Sequence, residues 1–188
     1  MTAPDDLQLL RALREGDTQA CHVLYQRHSK GLYRFALLHG GRAEVAADVV
    51  QEVFMGLLND SYRFDPLRGM LGHFLYGVAR KLMLRHAGES GRRVQHVDED
   101  EDEHAGEACH EPLARLLGDE SAEQLRRALA RLAPHYRDVL ILYELHDMSY
   151  LEIAGICDLD LGTVRSRLSR GRAALSRAMA SYRAIDQT

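Results

Sequence analysis

Six consecutive carboxylates, Asp98-Glu99-Asp100-Glu101-Asp102-Glu103, constrain this chain more than any other feature. Adjacent like charges repel one another and bury nothing, so no hydrophobic core can run through them. Gly91, Gly106 and Pro112 flank the run and add breaks. The run predicts a flexible acidic linker, assigned to residues 94–120. The linker divides the 188-residue chain into residues 1–93 and 121–188. Each piece is long enough for a small domain of its own.

On both sides of the linker the apolar residues recur at helical spacing. Leu7, Leu10 and Leu13 form one face behind a start at Pro4 and Asp5, and Gly16-Asp17 ends it. Val23, Leu24, Tyr33, Leu37 and Leu38 continue to Gly40-Gly41. From about Ala43 to Leu58, Val49, Val50, Val53, Phe54 and Leu57 make an apolar stripe. Glu44, Asp48, Gln51 and Glu52 fall mostly on its other faces. Asp65-Pro66 and Gly69 mark a turn, and Met70–His86 carries Leu71, Phe74, Leu75, Val78 and Leu82. After the linker, Leu125, Leu129 and Leu132 form one face, and Pro134 starts a helix with Tyr136, Val139, Leu140 and Tyr143. The expected fold is all-α, two small helical domains joined by the acidic linker.

Several classes of protein are disfavoured. No apolar stretch approaches the roughly twenty residues that cross a bilayer. Asp5 and Asp6 stand where a signal peptide would be basic and then apolar. Cys21, Cys109 and Cys157 form no CxxC pair, which fits a reducing, cytoplasmic setting. There is no P-loop, nucleophile elbow or HExxH, so neither an enzyme nor a cofactor is expected. His96, His104, Cys109 and His110 lie within the linker, but their spacing matches no usual zinc site.

The most informative local pattern lies near the C-terminus. Ser149 followed by Glu152 has capping-box spacing before a short apolar helix, Tyr150 to Cys157. Asp158-Leu159-Asp160 is a tight polar turn, and Asp160 can cap the helix that begins at Leu161. This is helix, turn, helix, with small Ala154 at the crossing. Val164, Leu168, Gly171, Leu175, Met179 and Tyr182 share one stripe, whereas Thr163, Ser166, Ser169, Arg170 and Arg177 lie roughly opposite, with Arg165, Arg167 and Arg172 on the flanks. The formal net charge of −4 argues weakly against nucleic acid, yet no acidic residue occurs from Thr163 to Ala184. Local charge decides binding, and a basic helix after a tight turn fits the major groove. The alternative is an ordinary solvated basic face.

Two stretches resemble one known family. Met148-Ser-Tyr-Leu-Glu-Ile-Ala, then Leu161-Gly-Thr-Val-Arg-Ser-Arg-Leu-Ser-Arg-Gly-Arg-Ala-Ala-Leu, closely resembles region four of extracytoplasmic-function sigma factors. Leu132-Ala-Pro-His-Tyr-Arg-Asp-Val-Leu-Ile-Leu before it does too. Asp48-Val-Val-Gln-Glu-Val-Phe resembles the region-two helix that binds the polymerase clamp. Arg63-Phe-Asp-Pro-Leu-Arg-Gly and Phe74-Leu-Tyr-Gly-Val-Ala-Arg resemble its strand-opening part. Leu71, Phe74, Lys81 and Asp158 depart from the residues common at their positions; the first three bear on base preference.

The resemblance implies region two over residues 1–93 and region four over residues 121–188, with RNA polymerase core and promoter DNA as partners. Asp48, Gln51 and Glu52 would meet the polymerase clamp. Phe74, Tyr76, Arg80, Lys81, Arg85 and His86 would hold the single-stranded minus-ten element, with a core role for Phe74 the alternative that its apolar ring favours. Thr163, Arg165, Ser166, Arg167 and Arg170 would read the minus-thirty-five element. Factors of this class are often held inactive by an anti-sigma factor, which makes one a candidate partner. The linker would either mimic RNA in the polymerase channel or serve as a tether. Two other readings remain: a helix-turn-helix regulator acting without polymerase, and a helical interaction protein.

Overall fold

The computed structural model describes residues 4–40, 42–94 and 120–185. Among these residues every regular element is helical. The linker expectation falls almost wholly on residues 95–119, outside the described residues, as do His96, His104, Cys109 and His110.

In the N-terminal half, α1 (Asp6–Arg14) starts with a reciprocal cap. The Asp5 carboxylate accepts from the Gln8 amide at 2.7 Å, and the Gln8 side chain accepts from the Asp5 amide at 3.0 Å. Gly16 (φ 94°) then turns the chain into α2 (Thr18–Gly40). α3 (Ala43–Leu58) has the bounds that its apolar period predicts, with Val49, Val53, Phe54 and Leu57 buried. A single 3-10 turn at Pro66–Arg68, capped by Asp65, leads to α4 (Leu71–Val94). These helices enclose a core of Leu24, Leu32, Phe35, Val53, Leu71, Leu75 and Leu82.

α4 runs past His86, where the sequence reading ends it. Gly88 and Gly91 each cost only about 1 kcal/mol in a helix interior, which good helix formers around them can offset. The helix therefore continues to Val94.

The C-terminal half contains α5 (Glu120–Arg131), α6 (Pro134–Leu140), α7 (Tyr150–Cys157) and α8 (Leu161–Ile185). Pro134 sits in the first turn of α6, where its missing N–H costs nothing. α6 widens into a π turn at Ile141–Leu145, burying both Ile141 and Leu142. Val139, Leu140, Ile153, Val164 and Leu168 fill the core of this half.

The two halves pack against each other. α2 lies against α5, α6 and the π turn, and α4 lies against α7. The contact contains two buried polar side chains, His39 and Asp138, each 1% exposed.

Candidate polymerase and promoter interfaces

The helix-turn-helix is built by its caps. Ser149 Oγ accepts from the Glu152 amide at 3.3 Å, while Glu152 Oε2 accepts from the Ser149 amide at 2.6 Å. The backbone hydrogen bond from Ser149 holds the Glu152 carboxyl below its ordinary pKa. Asp158 ends α7 in the left-handed region (φ 56°, ψ 57°), a conformation that Asp tolerates better than most residues. Asp160 then caps α8. Its carboxylate accepts from the Thr163 amide at 2.8 Å and from the Thr163 hydroxyl at 2.5 Å, and these bonds depress its pKa.

These caps fix the rotation of α8. Val164 and Leu168 face inward, 0% and 1% exposed. Arg165, Ser166 and Arg170 are exposed, while Thr163 and Arg167 are half-buried. The five predicted minus-thirty-five residues thus share the outward half of one helix, close to its N-terminus. Thr163 spends its hydroxyl on the cap, and the Ser166 hydroxyl donates to the Thr163 carbonyl at 3.0 Å. The arginines are the freer groups. Arg172 is turned elsewhere: its Nε donates to Glu144 at 2.7 Å and its guanidinium lies 5.2 Å over the Tyr143 ring.

On α3, Asp48 and Gln51 are exposed and Glu52 is half-buried. Glu52 accepts from Arg85 at 2.7 and 2.8 Å, so one predicted polymerase contact and one predicted DNA contact hold each other in this structure. Beside them a groove of about 870 Å³ opens between α2 and α3. Gln51, Tyr25, Met55 and Leu58 line it, and the last three are nearly half exposed although large and apolar. Sequence periodicity assigned only the polar face of α3; Met55 and Leu58 lie just off its buried stripe.

α4 separates the minus-ten candidates onto two stripes about 100° apart. Phe74, Lys81 and Arg85 share one. Phe74 is half-buried against Phe64, ring centroids 5.4 Å apart, so it is partly a packing residue. Lys81 and Arg85 are exposed. His73, Tyr76 and Arg80 share the other stripe, and all three meet the C-terminal half. His73 lies 3.2 Å from Glu152. The Tyr76 hydroxyl lies 3.0 Å from Nδ1 of His146. Gly31 makes room for that ring, because a Cβ there would sit 2.5 Å from the Tyr76 oxygen. Burial pushes the Tyr76 phenol up to about 12 and the His146 imidazole down to about 4, so both are neutral near pH 7. His86 is half-buried, with its Nε2 lacking a hydrogen-bond partner among the described residues.

The buried network around Asp138 was missed by sequence reasoning. Asp138 Oδ1 lies 2.7 Å from His39 Nε2, and Oδ2 accepts from Arg80 Nε at 2.6 Å. The neighbouring Arg137 donates to the carbonyls of Leu129 (2.8 Å), Ala130 (2.5 Å), Leu132 (2.7 Å) and His39. Burial lowers its pKa. One arginine therefore caps the C-terminal ends of both α2 and α5, whose last carbonyls lack helical partners. The sequence hint was the charged pair Arg137-Asp138 set between Tyr136 and the apolar run from Val139 to Leu142.

Comparison with known proteins decides the family. Sigma-70 region 2 matches residues 24–93, and Sigma-70, region 4 matches residues 122–175. The ECF RNA polymerase sigma-E factor of Escherichia coli K12 is 31% identical, over 90% of this chain and 92% of its own length. The chain belongs to the ECF sigma factor family. The RNA polymerase sigma-H factor of Pseudomonas aeruginosa is 29% identical over 95% of this chain and 96% of its own. Two solved structures share the fold at 24% identity. CnrH, in complex with the cytosolic domain of CnrY, has a TM-score of 0.67 and covers 94% of this chain and 97% of its own. RpoE of Bartonella quintana, in complex with the anti-sigma factor NepR, has a TM-score of 0.62 and covers 85% and 96%. The expected all-α fold with region two followed by region four is thus the fold of this sigma factor. Both regions on one chain separate it from a regulator built on a helix-turn-helix alone. No helix among its described residues is long and apolar enough to cross a membrane.

Proposed function

We propose that this sigma factor docks on RNA polymerase core through α3 and directs it to promoters through α4 and α8, acting in the cytoplasm and without catalysis of its own. The observation that carries this reading is the pairing of two interfaces in the family's order. A carboxylate- and amide-bearing ridge, Asp48, Gln51 and Glu52, stands beside an open apolar groove in the first half. A capped helix-turn-helix with outward arginines stands in the second.

The chemistry is complementary to each partner. Acidic rim groups set register and association rate on a basic partner surface, and the adjoining Tyr25, Met55 and Leu58 supply apolar area to bury. Arg165, Arg167 and Arg170 can grip phosphate or read guanine bidentately, with Thr163 and Ser166 beside them. On α4, Phe74 and Tyr76 offer faces for stacking unpaired bases, and Arg80, Lys81, Arg85 and His86 offer charge or hydrogen bonds along the strand. An anti-sigma factor is the expected regulator, competing for these same surfaces.

The test is holoenzyme assembly. Asp48→Arg with Gln51→Arg should weaken binding of the full chain to purified core polymerase by at least about tenfold, one unit of 1.4 kcal/mol in affinity, with unchanged circular dichroism. Wild-type affinity in the double variant would remove α3 from the polymerase interface.

A further inference from the structure

Resting on the assignment of α8 to the minus-thirty-five element, we propose that Glu144 is a positioning residue for promoter binding: it holds Arg172 back from the DNA backbone and so limits how many phosphates α8 can grip. The promoter hold is then weaker than the arginines of α8 would give alone, and weaker for every sequence alike.

Arg172 stands two helical turns after Arg165. The two side chains leave α8 only about 20° apart and about 10 Å along its axis. Both residues are exposed, so Arg172 shares the flank of a DNA candidate. The neighbouring π turn is a second landmark. Tyr143 packs on Tyr150, ring centroids 5.3 Å apart, and Tyr150 opens α7 directly after the Ser149 cap. In a helix-turn-helix the first helix crosses the DNA backbone while the second enters the groove. Arg172, seated over Tyr143, therefore lies beside the end of the helix that meets phosphate.

The charge of Arg172 is spent before DNA arrives. Its Nε donates to Glu144 Oε1 at 2.7 Å, and its guanidinium lies 5.2 Å over the Tyr143 ring. The bond to Glu144 holds the Arg172 pKa above its ordinary value. From Leu161 to Ala184 α8 carries no acid of its own, and Glu144 reaches it from the π turn. Glu144 acts in two ways. It ties the guanidinium by a charge-assisted bond, and its own charge repels any phosphate within a Debye length, about 8 Å at physiological salt. The side chains of Arg172 and Glu144 are 49% and 42% exposed, and ion pairs so exposed add little to stability. A pair that does little for the fold and cancels a cation beside the backbone acts on binding. Phosphate contacts strengthen non-promoter sites as much as promoters, and those sites vastly outnumber promoters in a genome. Restraining one such contact leaves polymerase freer to search.

Salt titration of the reconstituted holoenzyme tests this. The probes are two fluorescein-labelled duplexes, a promoter recovered by selection from a genomic library and the same duplex with its minus-thirty-five element scrambled. Glu144→Gln leaves a net positive charge where the wild-type pair has none. The slope of log affinity against log salt should steepen by about 0.9, the increment for one phosphate contact. The variant's advantage over wild type should accordingly shrink about 3.5-fold between about 50 and 200 mM salt. The increment should be equal on both duplexes, because phosphate carries no sequence. Combining Glu144→Gln with Arg172→Gln returns the local charge to zero and should return the slope to wild type, with all variants melting within a few degrees of it. A wild-type slope for Glu144→Gln, or a steeper one that survives in the double variant, overturns the proposal. So does a gain confined to the promoter duplex, which would make Arg172 a base reader, or a Glu144→Gln chain that melts far below wild type, which would make the pair a strut of the fold. Arg165→Ala separates the proposal from the reading beneath it. Unchanged promoter affinity in that variant would remove this face of α8 from DNA, whereas a loss there beside a wild-type slope for Glu144→Gln would overturn the restraint alone.

Discussion

Replacing Leu168 by Ala, and separately replacing Arg165 and Arg170 by Ala, should split stability from DNA binding within a single helix. Leu168 is 1% exposed and packs in the core of the C-terminal half. Truncating a leucine so enclosed costs the transfer free energy of its lost carbons plus a cavity term, together about 2–5 kcal/mol. Taking about 3 kcal/mol, and about 2–4 °C per kcal/mol for a chain of this size, the melting temperature should fall by roughly 6–12 °C. Arg165 and Arg170 are exposed. Surface changes of that kind stay within about 0.5 kcal/mol each, so the double variant should melt within a few degrees of wild type. Its DNA binding should respond in the opposite sense. Each arginine that neutralises a phosphate contributes about 0.9 to the slope of log affinity against log salt, and each that reads a base contributes about 1–3 kcal/mol of discrimination. The assay pairs a thermal melt of the full chain with a salt-dependent promoter titration of the reconstituted holoenzyme. Arginine variants that melt early while promoter affinity and salt slope stay at wild-type values would refute the orientation of α8. So would a Leu168→Ala protein that melts like wild type.

Two further outcomes follow from the turn and the interface. Asp158 is exposed and left-handed (φ 56°), so Asp158→Gly should stabilise the chain by about 0.5–1 kcal/mol, read as a rise in melting temperature; a fall would mean that the Asp side chain holds the turn in some other way. His146 is half-buried among Phe35, Tyr76, Arg34 and Asp147, and desolvation brings its folded-state pKa down to about 4, below its ordinary 6.5. Above pH 6.5 both states are neutral and the group contributes no pH dependence; between 6.5 and about 4 the unfolded chain takes up a proton that the folded chain does not, so stability falls as pH falls. A melting series from pH 7 to 5 should therefore drop more steeply for wild type than for His146→Phe, and equal slopes would remove His146 from the acid response.

The legible parts of this protein were those fixed by short-range chemistry. α3 could be bounded at Ala43 and Leu58 from its apolar stripe, and α7 and α8 from Ser149, Glu152 and Asp160, because caps and 3.6-residue periods are written in adjacent residues. The length of α4 was not legible, because glycine weakens a helix without forbidding it. Nor was the Asp138 network, since its partners stand 99 and 58 positions away and leave no periodic trace. That network also changes what the α4 residues are doing: Tyr76 and Arg80, grouped with Phe74, Lys81 and Arg85 by proximity along the chain, lie on a separate stripe under the C-terminal half. The apolar rim at Met55 and Leu58 went unread because an exposed hydrophobic residue looks in sequence like one more member of the core stripe.

The central claim, that this chain confers promoter specificity on RNA polymerase, is tested most directly by run-off transcription from a genomic promoter library with purified core polymerase. The account predicts discrete transcripts that require the full chain and disappear with Asp48→Arg and Gln51→Arg. Transcripts indistinguishable from those of core polymerase alone, across the whole library, would contradict it.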